Sequence, residues 1–186
     1  MATKKYLKDY DLVETEDEKG RSRKTAVYHG DYFRLNLEES QIKQLKLRLA
    51  LFFVAAVALH VCAGLINNPG LNQMYTALPY TGSFFPIVFL GAGILRIPVQ
   101  KGPYRSEEVG LSYNRIVNMS RLYLIFMTAG AVGLIIYLIF ASHGRALDRE
   151  AIYLGVVLGA ALLVWSIFRK AKEIVIEKEE TPINSE

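Results

Sequence analysis

His60 is where the chemistry of this 186-residue chain would have to begin. Phenols and one thiol aside, no other ionisable side chain lies inside its long uncharged runs. An imidazole held in hydrocarbon is by default a functional candidate. The competing reading is a neutral ring hydrogen-bonded to a tyrosine or a carbonyl. On a helix, His60 shares its face with Phe53, Ala56, Val57, Ala63 and Gly64, a mostly small surface that should point into a bundle. Cys62, the single cysteine, sits two residues on, about 200° around the helix. It cannot complete a metal site with His60 and reads as a small buried filler. His29 and His143 fall on opposite sides of the runs, so a haem or zinc centre built from the three histidines is not expected, nor any other cofactor. The chain has no P-loop, no G-x-S-x-G elbow and no H-E-x-x-H. Ser106-Glu107-Glu108 and Asp148-Arg149-Glu150 are isolated acidic groups that read as helix starts or solvated loops. No catalytic residue is assigned, and the balance is against an enzyme.

What must position His60 is a set of four uncharged runs, about 49–66, 78–95, 122–141 and 151–168. A helix rises about 1.5 Å per residue, so each covers roughly the 30 Å hydrocarbon layer of a bilayer. The expected fold is an all-α, four-helix transmembrane bundle over 37–168, built as two hairpins. Residues 1–36 form a small β-meander module before it and 169–186 a tail after it. Counted up to Arg48, in each connector and in the tail, Lys and Arg number 11, 0, 5, 2 and 4. That split of 20 against 2 predicts a multi-pass protein with both termini cytoplasmic. Tyr75, Tyr80, Tyr137 and Tyr153 at outer run ends, with Tyr123 and Trp165 at inner ends, fit interfacial aromatic belts.

Within the second run, Pro86 deprives its helix of one backbone bond and predicts a kink that either lines a cavity or wraps a neighbour. Gly155 with Gly159, and Ala129 with Gly133, are small-xxx-small pairs suited to close helix packing, inside the bundle or against a dimer mate. Arg48, Arg96, Arg121 and Arg169 stand at run ends where anionic headgroups lie, or serve as plain positive-inside anchors. The chain also matches itself at an offset of 73 residues. From Arg48 to Arg96 there are 13 identities in 49 positions, against roughly one in ten from shared apolar composition, so a tandem repeat of the hairpin is possible on sequence grounds.

Ahead of the runs, Tyr10 to Glu16, Lys24 to Tyr28 and Tyr32 to Leu35 read as three short strands, with a turn at Gly20. Asn36 is expected to cap a helix, with Glu39 completing a capping box, that continues into the first run. Ser106 should cap a second helix that lies along the membrane or joins the third run. With 11 basic against 9 acidic residues up to Arg48 and a net charge of only +4 overall, no nucleic-acid partner is expected. The expected partners are the lipid bilayer and another protein or a second copy. The expected function is that of a non-catalytic accessory or scaffold subunit of a membrane complex. The alternative is a small dimeric carrier or channel whose pathway is lined by His60 and the kinked second span.

Overall fold

The computed structural model describes residues 6–16, 22–140 and 147–179. Uncharged runs of Leu, Ile, Val, Phe and Ala satisfy their backbone groups most completely as helices, and all four become helical. They form α1 (Glu39–Leu65), the pair α2 (Met74–Gly82) and α3 (Phe84–Leu95), α4 (Ser106–Phe140) and α5 (Leu147–Lys172). Counting α2 and α3 as one span, four helices among the described residues are long and apolar enough to cross a membrane. Around the bundle, α1 packs on α5, α5 on α4, and α4 on α2 and α3, while α3 returns to α1. This is an up-down-up-down ring.

The long helices α1, α4 and α5 each bury only a narrow stripe, whereas α3 buries Pro86, Ile87, Leu90, Gly91, Gly93 and Ile94, half of its length. On α5 the stripe is Glu150, Tyr153, Val157, Ala160, Val164, Ile167 and Ala171, stepping alternately by three and four as in coiled-coil packing. Outside the stripes, Leu51, Val54, Leu78, Val88, Ile125, Ile139 and Leu162 are exposed. The surface of the bundle is therefore apolar, while His60, Thr76, Ser83, Ser112, Ser120 and Glu150 lie within it. Four of the six aromatic residues assigned to interfacial belts are also inside. Tyr80, Tyr123, Tyr137 and Tyr153 are buried, and only Tyr75 and Trp165 stay exposed. The buried four lie on the inward stripes, so their height along the helices carries no information about orientation.

Three segments distant in sequence meet at one end of the bundle, the end from which α1 starts and at which α5 finishes. Strand β3 (Tyr32–Leu35) lies centrally between β4 (Tyr104–Arg105) and β5 (Ile176–Glu179) in an antiparallel sheet, with Tyr32 opposite both Arg105 and Glu179. An Arg34–Glu179 pair at 2.5 Å and a Lys178–Asp31 pair at 2.9 Å brace it. The N-terminal segment, the connector before α4 and the tail after α5 thus share one end of the bundle. Among the described residues, strands β1 (Tyr10–Glu16) and β2 (Ser22–Tyr28) pair only with each other. This replaces the expected meander: β3 leaves the hairpin because the connector and the tail offer it two partners instead of one. The expected turn at Gly20 lies outside the described residues.

Helix starts also differ from expectation. α1 begins at Glu39 with Glu38 as its cap, and the Glu38 amide donates to Gln41 Oε1 at 2.9 Å. Asn36 does not cap it. The connector helix joins the third span through a wider π turn at Gly110–Asn114, and Arg105 rather than Ser106 takes the cap position, its amide donating to Glu108 Oε2 at 2.9 Å.

Candidate functional site

Pro86 shapes the centre of the bundle through the residues before it. Having no N–H, it leaves the carbonyl four residues back without a helical donor and crowds it. The second span accordingly breaks after Gly82 and resumes at Phe84, with Ser83 between. Ser83 keeps the helical bond of its own amide, donating to Pro79 O at 3.0 Å, and its Oγ donates to Tyr80 O at 2.6 Å. Pro86 itself is buried in the first turn of α3, and the break turns the Ser83 hydroxyl toward α1, 3.2 Å from His60 Nε2.

His60 is 1% exposed and is met from two sides. The Ser83 hydroxyl has one proton, which it donates to Tyr80 O, so His60 Nε2 must donate to Ser83 Oγ. That tautomer leaves Nδ1 as an acceptor for the Tyr123 hydroxyl, 3.2 Å away on α4. A neutral ring thus fills both of its bonds. Tyr80 stacks on the imidazole at 4.7 Å, Phe84 meets it edge-on at 4.6 Å, and Tyr80 Oη donates to the His60 carbonyl at 2.7 Å. Gly64 makes this approach possible, because any Cβ there would collide with the Tyr80 hydroxyl. Tyr153 of α5 completes the cluster, its ring 6.3 Å from that of Tyr80. All four spans therefore contribute a ring to one polar centre.

A second buried group lies at the far end, and the sequence reading missed it. Glu150, expected in a helix start or a solvated loop, does lie in the first turn of α5 but is 0% exposed. Its Oε1 accepts the amide of Gly70 at 2.8 Å, in the short 3-10 turn Pro69–Asn72 that links α1 to α2. Glycine is needed there: a Cβ would lie 2.5 Å from Leu134 Cδ1 and 2.8 Å from Glu150 Oε2. Among the described residues Glu150 Oε2, Asn68 Nδ2 and Thr76 Oγ1 are buried without a hydrogen-bond partner. The signal was present in the sequence, since Glu150 extends the three-four stripe of α5 by one step.

The remaining candidates are dispersed. Gly133 packs within the bundle, where a Cβ would come 2.7 Å from the Tyr75 carbonyl oxygen. Gly159 faces Leu59, with a Cβ 3.3 Å from its Cδ1, whereas nothing lies within 4 Å of a Cβ on Gly155. Ala129 is exposed. Arg48, Arg96, Arg121 and Arg169 are all exposed. Arg121 lies 5.8 Å over the Phe168 ring, and Arg169 pairs with Glu173 at 3.7 Å. Cys62 is exposed on the outer surface rather than buried, because its turn away from His60 carries it out of the bundle. His143 lies outside the described residues. Among the described residues, no three His, Cys, Asp or Glu side chains gather as a metal site. Compared with known protein families, curated proteins and solved structures, the chain matches none.

Proposed function

We propose that the chain is a multi-pass integral membrane protein with both termini in the cytosol, acting as a non-catalytic accessory or scaffold subunit of a membrane complex. The exposed apolar surface of all four spans supports immersion in lipid, since soluble monomers rarely leave such area to water. The 20-to-2 division of Lys and Arg supports a cytosolic termini end. The observation that carries the non-catalytic reading is the closed His60 network. Both ring nitrogens are engaged by Ser83 and Tyr123, and its faces are covered by Tyr80 and Phe84. That suits a fastener between helices better than a site that binds and releases.

The β1–β2 hairpin supplies the partner surface in this reading. Its base is fixed: Tyr28 Oη donates to Asp31 O at 2.8 Å and accepts the Ser106 amide at 3.0 Å, with Arg105 5.4 Å over its ring. Beyond the base, Leu12, Val13 and Val27 are exposed, Leu12 by 72%, and a two-stranded ribbon is marginal alone in water. A photo-crosslinking residue at Leu12 tests this in cells. The expected adduct is with a protein, abolished by Val13→Asp and retained in His60→Phe. A folded, inserted chain that gives no adduct would count against the scaffold.

One observation favours the carrier reading. Glu150 supplies the buried acidic group that such a path usually needs. Proton, cation or anion flux into reconstituted vesicles, lost in Glu150→Gln, would support it, and tight vesicles containing folded protein would reject it.

A further inference from the structure

Two cavities adjoin on the outer surface between α4 and α5, near the termini end. The first, about 450 Å³, runs along Leu124, Ile125, Thr128 and Ala129. The second, about 390 Å³, is bordered by Arg169, Lys172 and Glu173. They share Trp165 and Phe168, and Arg121 stands in the wall of the first. Together they make one groove with an apolar lane and a cationic end. Thr128 and Ala129 both face outward, and their small side chains keep the lane open.

Charge and depth narrow the choice of occupant. Arg169 holds the one acidic group in the groove, Glu173, at 3.7 Å. Among the described residues Arg121 and Lys172 have no carboxylate within 4 Å, and Arg121 is held over the Phe168 ring at 5.8 Å. Arg121 directly precedes the uncharged run of α4 and Arg169 directly follows that of α5, so the cations stand at the hydrocarbon boundary. Thr128 lies seven residues deeper, about 10 Å at the helical rise, which is most of the depth of one roughly 15 Å leaflet. An amphipathic molecule with a long apolar chain and a negative head matches this layout. A zwitterionic lipid brings an ammonium that Arg121 and Lys172 repel. A second copy of this chain fits poorly, because the same end of every copy in the membrane carries surplus cations.

We infer that this groove binds an anionic phospholipid, one acyl chain lying along Leu124, Ala129 and Trp165 and the headgroup phosphate between Arg121 and Lys172. The inference rests on the membrane-spanning reading above. Trp165 is the only tryptophan in the chain, so its fluorescence reports on the groove alone. The full chain is reconstituted in phosphatidylcholine vesicles carrying equal mole fractions of either brominated phosphatidylglycerol or brominated phosphatidylcholine. The expected result is a preference of at least about threefold for phosphatidylglycerol in quenching Trp165. It should fall to about one in Arg121→Gln/Lys172→Gln and persist in Arg96→Gln, a cation at the same end outside the groove. Equal quenching by both lipids in the unaltered chain overturns the inference, as does a preference that survives the double substitution. Quenching by neither lipid, in protein that floats with the vesicles, means that a second copy covers the groove and also overturns it. A chain that does not float with vesicles overturns the membrane reading, and this site with it.

Discussion

Replacing Glu150 by Ala and by Gln separates a structural carboxyl group from an incidental one. In the native bundle Oε1 accepts the buried Gly70 amide at 2.8 Å, and Oε2 has no partner among the described residues. Alanine strands that amide, at about 1–3 kcal/mol for an unsatisfied buried donor, and leaves a gap beside Leu134 and Tyr137 that adds roughly 1–2 kcal/mol. Together these come to about 2–5 kcal/mol, and the middle of that range, about 3.5 kcal/mol, shifts the unfolding equilibrium roughly 300-fold. Glutamine keeps an acceptor at Oε1 and fills nearly the same volume, so its cost should stay under about 1 kcal/mol. Unfolding in mild detergent mixed with increasing dodecyl sulfate, followed by circular dichroism, measures both variants. Hydrogen exchange at Gly70 gives the local readout, with protection lost in Glu150→Ala and kept in Glu150→Gln. If the two substitutions prove equally harmful, or Gly70 stays protected in the alanine variant, the proposed role of the Gly70 bond is refuted.

Other expectations concern packing and the hairpin. Gly133→Ala should destabilise by about 2 kcal/mol, because its Cβ would press 2.7 Å from a backbone oxygen that has little room to move. Gly155→Ala, with nothing within 4 Å, should be neutral or gain up to about 1 kcal/mol, the helix-propensity difference between the two residues; the same detergent titration compares them. His60→Phe and Tyr123→Phe should each cost about 1 kcal/mol, and the double variant less than their sum, which a mutant cycle measures directly. Arg105→Ala removes the guanidinium from above Tyr10 and Tyr28, at 6.0 and 5.4 Å. Amide exchange should quicken across β1 and β2 while the helices unfold as before.

Much of the helical layout was legible because an uncharged run of 18 or more residues leaves the chain few alternatives. The inward direction of His60 could be read from its small-residue face, and the break near Pro86 from the missing amide. What could not be read depended on contacts between distant segments. β3 chose its neighbours from the connector and the tail, which no local pattern of Tyr32 to Leu35 reveals. Height along the helices alone would put the tyrosines at interfaces, whereas angular position puts Tyr80, Tyr123, Tyr137 and Tyr153 inside. The charge of Glu150 points to solvent, but its place three residues before Tyr153 on the buried stripe of α5 makes it internal. The internal match at offset 73 pairs residues in unlike settings. Ala56 is buried and Ala129 exposed, while a Cβ on Gly82 would meet Phe126 and one on Gly155 would meet nothing.

The most direct measurement is the sidedness of the chain in intact cells. With Cys62 replaced by Ala, single cysteines at Asn72 and Leu7, both exposed, are treated with a membrane-impermeant maleimide before and after permeabilisation. Asn72→Cys should react in intact cells, and Leu7→Cys only after the membrane is opened. Labelling of Leu7→Cys from outside, or recovery of the chain in the soluble fraction without detergent, would contradict a four-span protein with its termini in the cytosol.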